Sequence, residues 1–107
     1  MEHRASLTER LANFLVVAQP MDRTPEVVDA AKYYTLDWLG SAMAGTITTP
    51  GRLFLDRAAS QGSGSATVLG LAGKRSAEVA ALTNGALSHI VEMDDLHRAS
   101  VVHPGAV

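Results

Sequence analysis

Side chains that can transfer protons crowd together near the end of the chain. Three of the four histidines and three of the eleven acidic residues lie within positions 89–103. These residues are His89, Glu92, Asp94, Asp95, His97 and His103. Imidazoles and carboxylates are the groups that proteins use most for general acid–base chemistry. The cluster therefore predicts a site at which protons are transferred.

The positions of these residues give each a second, simpler interpretation. Asp94 and Asp95 are predicted at the C-terminal end of a helix, where the dipole disfavours negative charge, and such local conflicts concentrate at functional sites. An Asp-Asp pair is equally common at an ordinary solvated helix end. A histidine on a helix face, such as His89, is more often a hydrogen-bonded structural residue than a catalytic one. The residue types alone leave these alternatives open.

A loop is predicted to carry His97 and His103, and functional residues are frequent in loops. Pro104-Gly105 would stiffen and bend the backbone beside His103 and hold its imidazole in place. A metal site is a further alternative. Its ligands would be His89, Glu92, His97 and His103, although their spacing matches no common zinc signature.

Composition narrows the class of protein. The 107 residues, 47% hydrophobic and 19% charged, predict one soluble globular domain with one modest core. The net charge is -2 and the basic residues are scattered, so we expect no nucleic-acid partner. The absence of cysteine excludes disulfides and thiolate metal sites and fits a reducing compartment. No apolar run approaches the roughly 18 residues of a membrane helix. We expect a cytoplasmic protein with no membrane partner.

Four N-terminal signals predict a mostly α fold of about four helices. They are a capping box from Ser6 to Glu9, Thr24-Pro25, Thr49-Pro50 and Ser76. The first helix is predicted to end at Pro20 and the second at Gly45. Residues 40–45, GSAMAG, are small, which indicates close approach of another backbone, with a fraying helix end as the alternative.

The fourth helix is predicted to pass through Asn84-Gly85, with two helices meeting at Gly85 as the alternative. An apolar stripe at helical spacing supports one helix and consists of Val79, Leu82, Ala86, Ile90 and Met93. On this helix Gly85, His89 and Glu92 would share a second face. Between the third and fourth helices, residues 62–65 predict a flexible turn and residues 66–69 one short extended segment.

The span VAALTNGALSHIVEMDDLHRASVVHPGAV resembles the MmgE/PrpD family, which includes 2-methylcitrate dehydratase, cis-aconitate decarboxylase and iminodisuccinate epimerase. The family shows an Asn-Gly, a His five residues after that Asn, an acidic cluster ending in Asp-Asp, and a His-Pro with a nearby Gly. The matching positions are Asn84-Gly85, His89, Glu92 with Asp94-Asp95, and His103-Pro104-Gly105. Residues 36–45 and 65–70 resemble the family as well, in the same order.

The resemblance implies that residues 1–107 are part of the large helical domain of the family. That domain faces a smaller α+β domain across an active-site cleft, usually in a homodimer. Family chains are several times longer, so we expect a truncated product or a partial sequence that is inactive alone. The implied function is a lyase or isomerase of small polycarboxylates that needs no cofactor. The alternatives are a non-catalytic helical oligomerisation or interaction module and, less favoured, a metal-binding protein.

The resemblance also implies roles for individual residues. His103 would be the general acid or base, and Glu92 would orient it or share its proton. Asp94 and Asp95 would hold the loop by accepting backbone N–H bonds, and His89 would help to organise the site. His97 would contact a substrate carboxylate. Two departures leave the substrate open, since many members have Asp where this chain has Glu92 and Thr where it has Leu96.

Overall fold

A computed structural model of the chain describes residues 5–18 and 23–106. The fold is mostly α, with the predicted four helices and one small sheet. In chain order the elements are helices α1 (Leu7–Val17), α2 (Pro25–Gly45) and α3 (Thr49–Ala59), strands β1 (Ser63–Thr67) and β2 (Lys74–Arg75), helix α4 (Ala77–His89) and a 3-10 turn at Pro104–Ala106. Along the described residues, no helix combines the length and apolarity needed to cross a bilayer.

The chain divides into two compact units, residues 1–30 and 31–107. In the first unit, α1 begins at the predicted capping box. The Ser6 hydroxyl accepts the N–H of Glu9 at 3.2 Å, and the Glu9 carboxylate accepts the N–H of Ser6 at 2.6 Å. No residue of α1 is buried. The predicted helix end at Pro20 lies outside the described residues.

In the second unit, α2 and α4 approach each other closely. A Cβ on Gly45 would overlap the carbonyl oxygen of Leu87, so only glycine fits there. Ser41 and Ala42, on the same part of α2, are also buried. Close backbone approach, the predicted reason for the small residues of this segment, is confirmed at Gly45, whereas a Cβ added at Gly40 would have no atom within 4 Å.

Two predicted details of the middle segment are wrong. The N-cap of α3 is Thr48 and not Thr49, because the Thr48 hydroxyl accepts the N–H of Gly51 at 3.0 Å. Residues 63–65 of the predicted turn at 62–65 instead form the first part of β1, which pairs antiparallel with β2. Gly64 lies against the backbone of Arg75, where a Cβ would overlap, so its small size serves close strand pairing instead of a turn.

The predicted extended segment at 66–69 overlaps the end of β1, and Val68 just beyond the strand enters the core. Val68 packs with Ala58 of α3 and Ala80 of α4, all of them almost fully buried. Asn84 of α4 fastens the same segment, because its side chain accepts the N–H of Leu69 at 2.9 Å and donates to the carbonyl of Thr67 at 3.0 Å. Asn84 therefore ties the strand end to the helix that precedes the histidine cluster.

Helix α4 continues through Asn84-Gly85, as predicted, but it ends at His89 and not near Met93. The predicted apolar stripe is not the buried face, since Leu82 is 68% exposed and Met93 is 71% exposed. The buried residues of the helix are Ala80, Thr83, Leu87 and Ser88. Within this face Ala80 packs against Ala58 of α3 and Val68, and Leu87 lies against the backbone of α2 at Gly45.

Candidate active site

A buried carboxylate, that of Asp94, joins two of the predicted site histidines. Its Oδ1 lies 3.2 Å from Nδ1 of His89, and its Oδ2 lies 3.3 Å from Nδ1 of His103. The side chain of Asp94 is 0% exposed, whereas the His89 and His103 side chains are 47% and 28% exposed. The ring centroids of the two histidines are 4.5 Å apart, edge to face. We call these three residues the His–Asp–His cluster.

Three different parts of the second unit supply this cluster. His89 is the last residue of α4, Asp94 lies in the segment that follows, and His103 immediately precedes the 3-10 turn. The chain reverses between Asp94 and His103, where the N–H of His97 donates to the carbonyl of Val102 at 2.9 Å. The reversal brings together two imidazoles that are fourteen positions apart in the sequence.

Asp95 fixes the backbone that follows His103. Its Oδ1 accepts the N–H of Gly105 at 2.9 Å, and a Cβ at position 105 would overlap the same oxygen. This contact is of the kind expected for the aspartates, which were predicted to hold the loop through backbone N–H groups. A side chain at position 105 would displace the Asp95 carboxylate, so the contact favours glycine there and restrains the Pro104-Gly105 turn next to His103.

An open cavity of about 430 Å³ borders the cluster. Its lining residues are Phe54, Gly85, Ala86, His89, Ile90 and His103. Both imidazoles line this cavity, and the absent side chain of Gly85 leaves space beside them. The walls are otherwise apolar, an environment in which a few polar groups can orient a small ligand.

Glu92 is placed differently from its prediction. Because α4 ends at His89, Glu92 does not share a helical face with Gly85 and His89, and its backbone has a φ of 49°, in the left-handed region. Its side chain is exposed and makes no hydrogen bond or ion pair with a described residue. The carboxylate that contacts His103 is that of Asp94. A catalytic role for Glu92 stays a prediction.

His97 lies apart from the His–Asp–His cluster. Its Nδ1 is 2.6 Å from the hydroxyl of Ser100, and the ring is exposed. It lines a second open cavity of about 900 Å³, together with Asp95, two tyrosines of α2 and other residues of the second unit. The predicted four-ligand set of His89, Glu92, His97 and His103 is therefore not assembled in the described part of the chain.

The contacts of the cluster favour proton chemistry. Donor atoms of His89, Asp94 and His103 lie within 4.8 Å of one another, and these residue types also occur around divalent metals. Here, however, Asp94 Oδ1 is hydrogen-bonded to Nδ1 of His89, an arrangement that a proton on that nitrogen satisfies. Buried Asp94 Oδ2 and His103 Nδ1 lack aligned hydrogen bonds, and such contacts often tighten only when ligand binds.

The sequence assigned Asp94 to the loop and missed its contacts with both rings. The predicted continuation of α4 to Met93 hid them, because it placed Asp94 at the helix end and not in a returning segment. The residue types alone do not indicate that one aspartate of an Asp-Asp pair is buried. The placement of a histidine before Pro-Gly was the usable signal, and it identified His103.

The same residues fall within a known family. Residues 9–107 match the model of the family described as the MmgE/PrpD N-terminal domain. The match covers nearly the whole chain and includes every residue of the cluster. Searches among curated proteins and among solved structures returned no match. The chain belongs to the MmgE/PrpD family.

Proposed function

We propose that this chain is the N-terminal segment of a lyase or isomerase that acts on small polycarboxylates and uses no redox cofactor. The observation that carries the proposal is the placement of His103, whose Nδ1 faces buried Asp94 and whose ring lines an open cavity. Membership of the MmgE/PrpD family supports the same reaction class. The chain would supply acid–base groups to one side of the active-site cleft.

The reactions implied by the family resemblance share one requirement. Dehydration, decarboxylation and epimerisation of a polycarboxylate all move a proton at a carbon next to a carboxylate. A positioned imidazole is suited to this step, since it both accepts and donates protons near neutral pH, and it contributes about 10²–10⁴-fold in rate. His103 would be the general acid or base.

Other predicted site residues would support His103. Asp95 would hold the loop through Gly105, and His97 would contact a substrate carboxylate from the neighbouring cavity. Glu92 would orient His103 or share its proton once substrate is bound. Leu96, in place of the threonine of many relatives, removes a hydroxyl that could bind a carboxylate, so we leave the particular polycarboxylate open.

The proposal includes an incomplete site. We expect the 107-residue chain to be inactive by itself, because the family resemblance assigns further site residues to later segments and to a second domain. A homodimer in the cytoplasm is the expected assembly and location.

The test compares His103→Ala with the unchanged enzyme, using the longest product that the gene encodes. Turnover of 2-methylcitrate and of cis-aconitate is measured directly, with Glu78→Gln in the exposed first turn of α4 as the control. We expect a 10²–10⁴-fold loss for His103→Ala and none for the control. Near wild-type turnover of the His103→Ala enzyme would remove this residue from the mechanism.

A second candidate function is a helical oligomerisation module. The observation that favours it is the exposure of the apolar residues of α1, among them Leu11, Phe14 and Leu15. Exposed apolar surface of this kind is typical of a protein interface. Turnover of 2-methylcitrate and of cis-aconitate separates the candidates, since a module would show none in the longest product of the gene. Sedimentation then tests the module itself, which would form a defined dimer that Leu11→Glu dissociates while leaving the second unit folded.

A further inference from the structure

We propose that Asp94 is a positioning residue that keeps a proton on Nδ1 of both His89 and His103, which makes His89 a second proton-transfer group of the site. The inference deepens the proposed function and rests on it for the use of the second ring. It does not depend on which polycarboxylate is the substrate.

The geometry determines which nitrogen of each ring is available. An ionised carboxylate only accepts hydrogen bonds, so a neutral imidazole that faces it places its proton on the facing nitrogen. Asp94 Oδ1 lies within hydrogen-bonding geometry of Nδ1 of His89. Its Oδ2 lies 3.3 Å from Nδ1 of His103 without an aligned hydrogen bond, a contact that we expect to tighten when ligand binds. Each neutral ring then carries its lone pair on Nε2. Two ring nitrogens of the same type are thereby prepared for proton transfer.

Burial of Asp94 adds a charge requirement. Its side chain is 0% exposed, and a buried carboxylate is unfavourable unless a positive group pairs with it. A proton carried by either ring during the reaction would supply that charge. The cluster would then consist of one imidazolium and one imidazole around a shared carboxylate, with ring centroids 4.5 Å apart. An acid and a base therefore border the same cavity.

The imidazolium and the neutral imidazole together can carry out a dehydration with no net gain or loss of protons by the cluster. The neutral ring takes the proton from the carbon next to a carboxylate, and the electron pair of that C–H bond forms the carbon–carbon double bond. The protonated ring gives its Nε2 proton to the departing hydroxide, which leaves as water. The cluster holds one extra proton before and after the step, and only its location between the rings has changed.

Nitrogen-15 NMR of the histidine rings in alkaline buffer tests the inference on the chain itself. The two nitrogens of a neutral imidazole have well-separated shifts, so the spectrum shows which one carries the proton. We expect Nδ1 to be protonated on both His89 and His103. A ring of either residue with an unprotonated Nδ1 would overturn the proposal.

Asp94→Asn sharpens the test because an amide has one accepting oxygen and one donating nitrogen. One ring can still donate from Nδ1 to the oxygen, but the ring that faces the NH₂ group must move its proton to Nε2. We therefore expect the two rings to adopt opposite tautomers in this variant. Retention of Nδ1 protons on both rings of a folded D94N chain would contradict a positioning role, as no purely structural role predicts the switch. The wild-type spectrum decides the matter if D94N does not fold.

Two controls accompany these spectra. His97 contacts Ser100 and not Asp94, so its tautomer should be the same in both proteins. Glu78→Gln changes an exposed carboxylate in the first turn of α4, away from the cluster, and should leave both cluster rings unaltered. The result is independent of turnover, so loss of the proposed activity and loss of the tautomer control are distinguishable outcomes.

Discussion

Helices α1 and α4 have the same kind of N-cap but differ in how much of each helix is buried. Each has a serine N-cap whose hydroxyl accepts a backbone N–H of the first turn, Ser6 in α1 and Ser76 in α4. Helix α1 has an apolar face that the sequence shows clearly, yet none of its residues is buried. Helix α4 buries four residues, although its large apolar side chains, such as Leu82, are exposed. A cap determines where a helix begins, but it does not indicate which surface packs against that helix.

In these two helices burial depends on the partner surface more than on the apolar pattern. Helix α4 packs mainly against α3, where Ala80 meets Ala58, and its Leu87 lies against the backbone of α2 at Gly45. Helix α1 presents larger apolar groups, which require a partner surface of a different shape. The following variants test this contrast, in order of decreasing effect.

The largest effect is expected from shortening the buried leucine of α4. Leu87 is 0% exposed, so Leu87→Ala removes buried methyl groups and leaves a cavity. We expect the free energy of unfolding to fall by about 2–5 kcal/mol. Urea denaturation followed by circular dichroism measures the change.

Leu11→Ala in α1 is the matched substitution, because Leu11 is 61% exposed. We expect a change within about 0.5 kcal/mol, as for other surface positions. If both variants lose comparable stability, the apolar face of α1 is covered in solution and the contrast between the helices does not hold.

A somewhat smaller effect is expected where α2 meets α4. Gly45→Ala places a methyl group on the carbonyl of Leu87 and should destabilise the chain by about 1–3 kcal/mol. Gly40→Ala lies in the same helix with nothing within 4 Å of the added Cβ. That control should stabilise by about 0.5–1 kcal/mol through helix propensity. Equal destabilisation by both variants would show that helix α2, and not the close approach, is disturbed.

Much of this fold could be predicted from local chemistry. Thr24-Pro25 and Gly45 bound α2 correctly, and Ser76 marks the start of α4. Such signals are local, since each end of a helix needs its own backbone partners. The strand at Ser63–Thr67 was missed because its pairing with β2 and the close contact at Gly64 are tertiary features.

The site was predictable in its members and not in its geometry. His103 stood out through the Pro-Gly that follows it, and its companions lay nearby in sequence. The contact between Asp94 and both rings depends on where α4 stops and on the reversal at His97 and Val102. No residue with a strong local preference marks the end of α4 or this reversal. The sequence therefore favours Glu92 over Asp94 as the carboxylate next to His103.

The serine caps offer a finer form of the comparison. Ser76→Ala removes the acceptor of the Val79 N–H and should lower the free energy of unfolding by about 1 kcal/mol, since α4 is part of the core unit. Ser6→Ala removes the equivalent acceptor in α1. We expect faster amide exchange confined to α1, with no change in the unfolding midpoint. A lowered midpoint for Ser6→Ala would mean that α1 unfolds together with the second unit.

The smallest effect belongs to the start of α2, where a hydrogen bond with the Thr24 side chain, followed by one with its own backbone, lowers the pKa of Glu26. A lowered pKa means that the ionised Glu26 carboxylate stabilises the folded N-terminal end of α2. This stabilisation is present at a pH above the ordinary pKa of a glutamate and is lost as the pH falls through the lowered pKa. Carbon-13 NMR of the Glu26 carboxyl measures the titration. Thr24→Ala should return the pKa towards its ordinary value, whereas Thr35→Ala, in the same helix, should not. Because Glu26 is exposed, the shift should alter only this helix end, and a matching change in the unfolding of the second unit would show that the two regions are coupled.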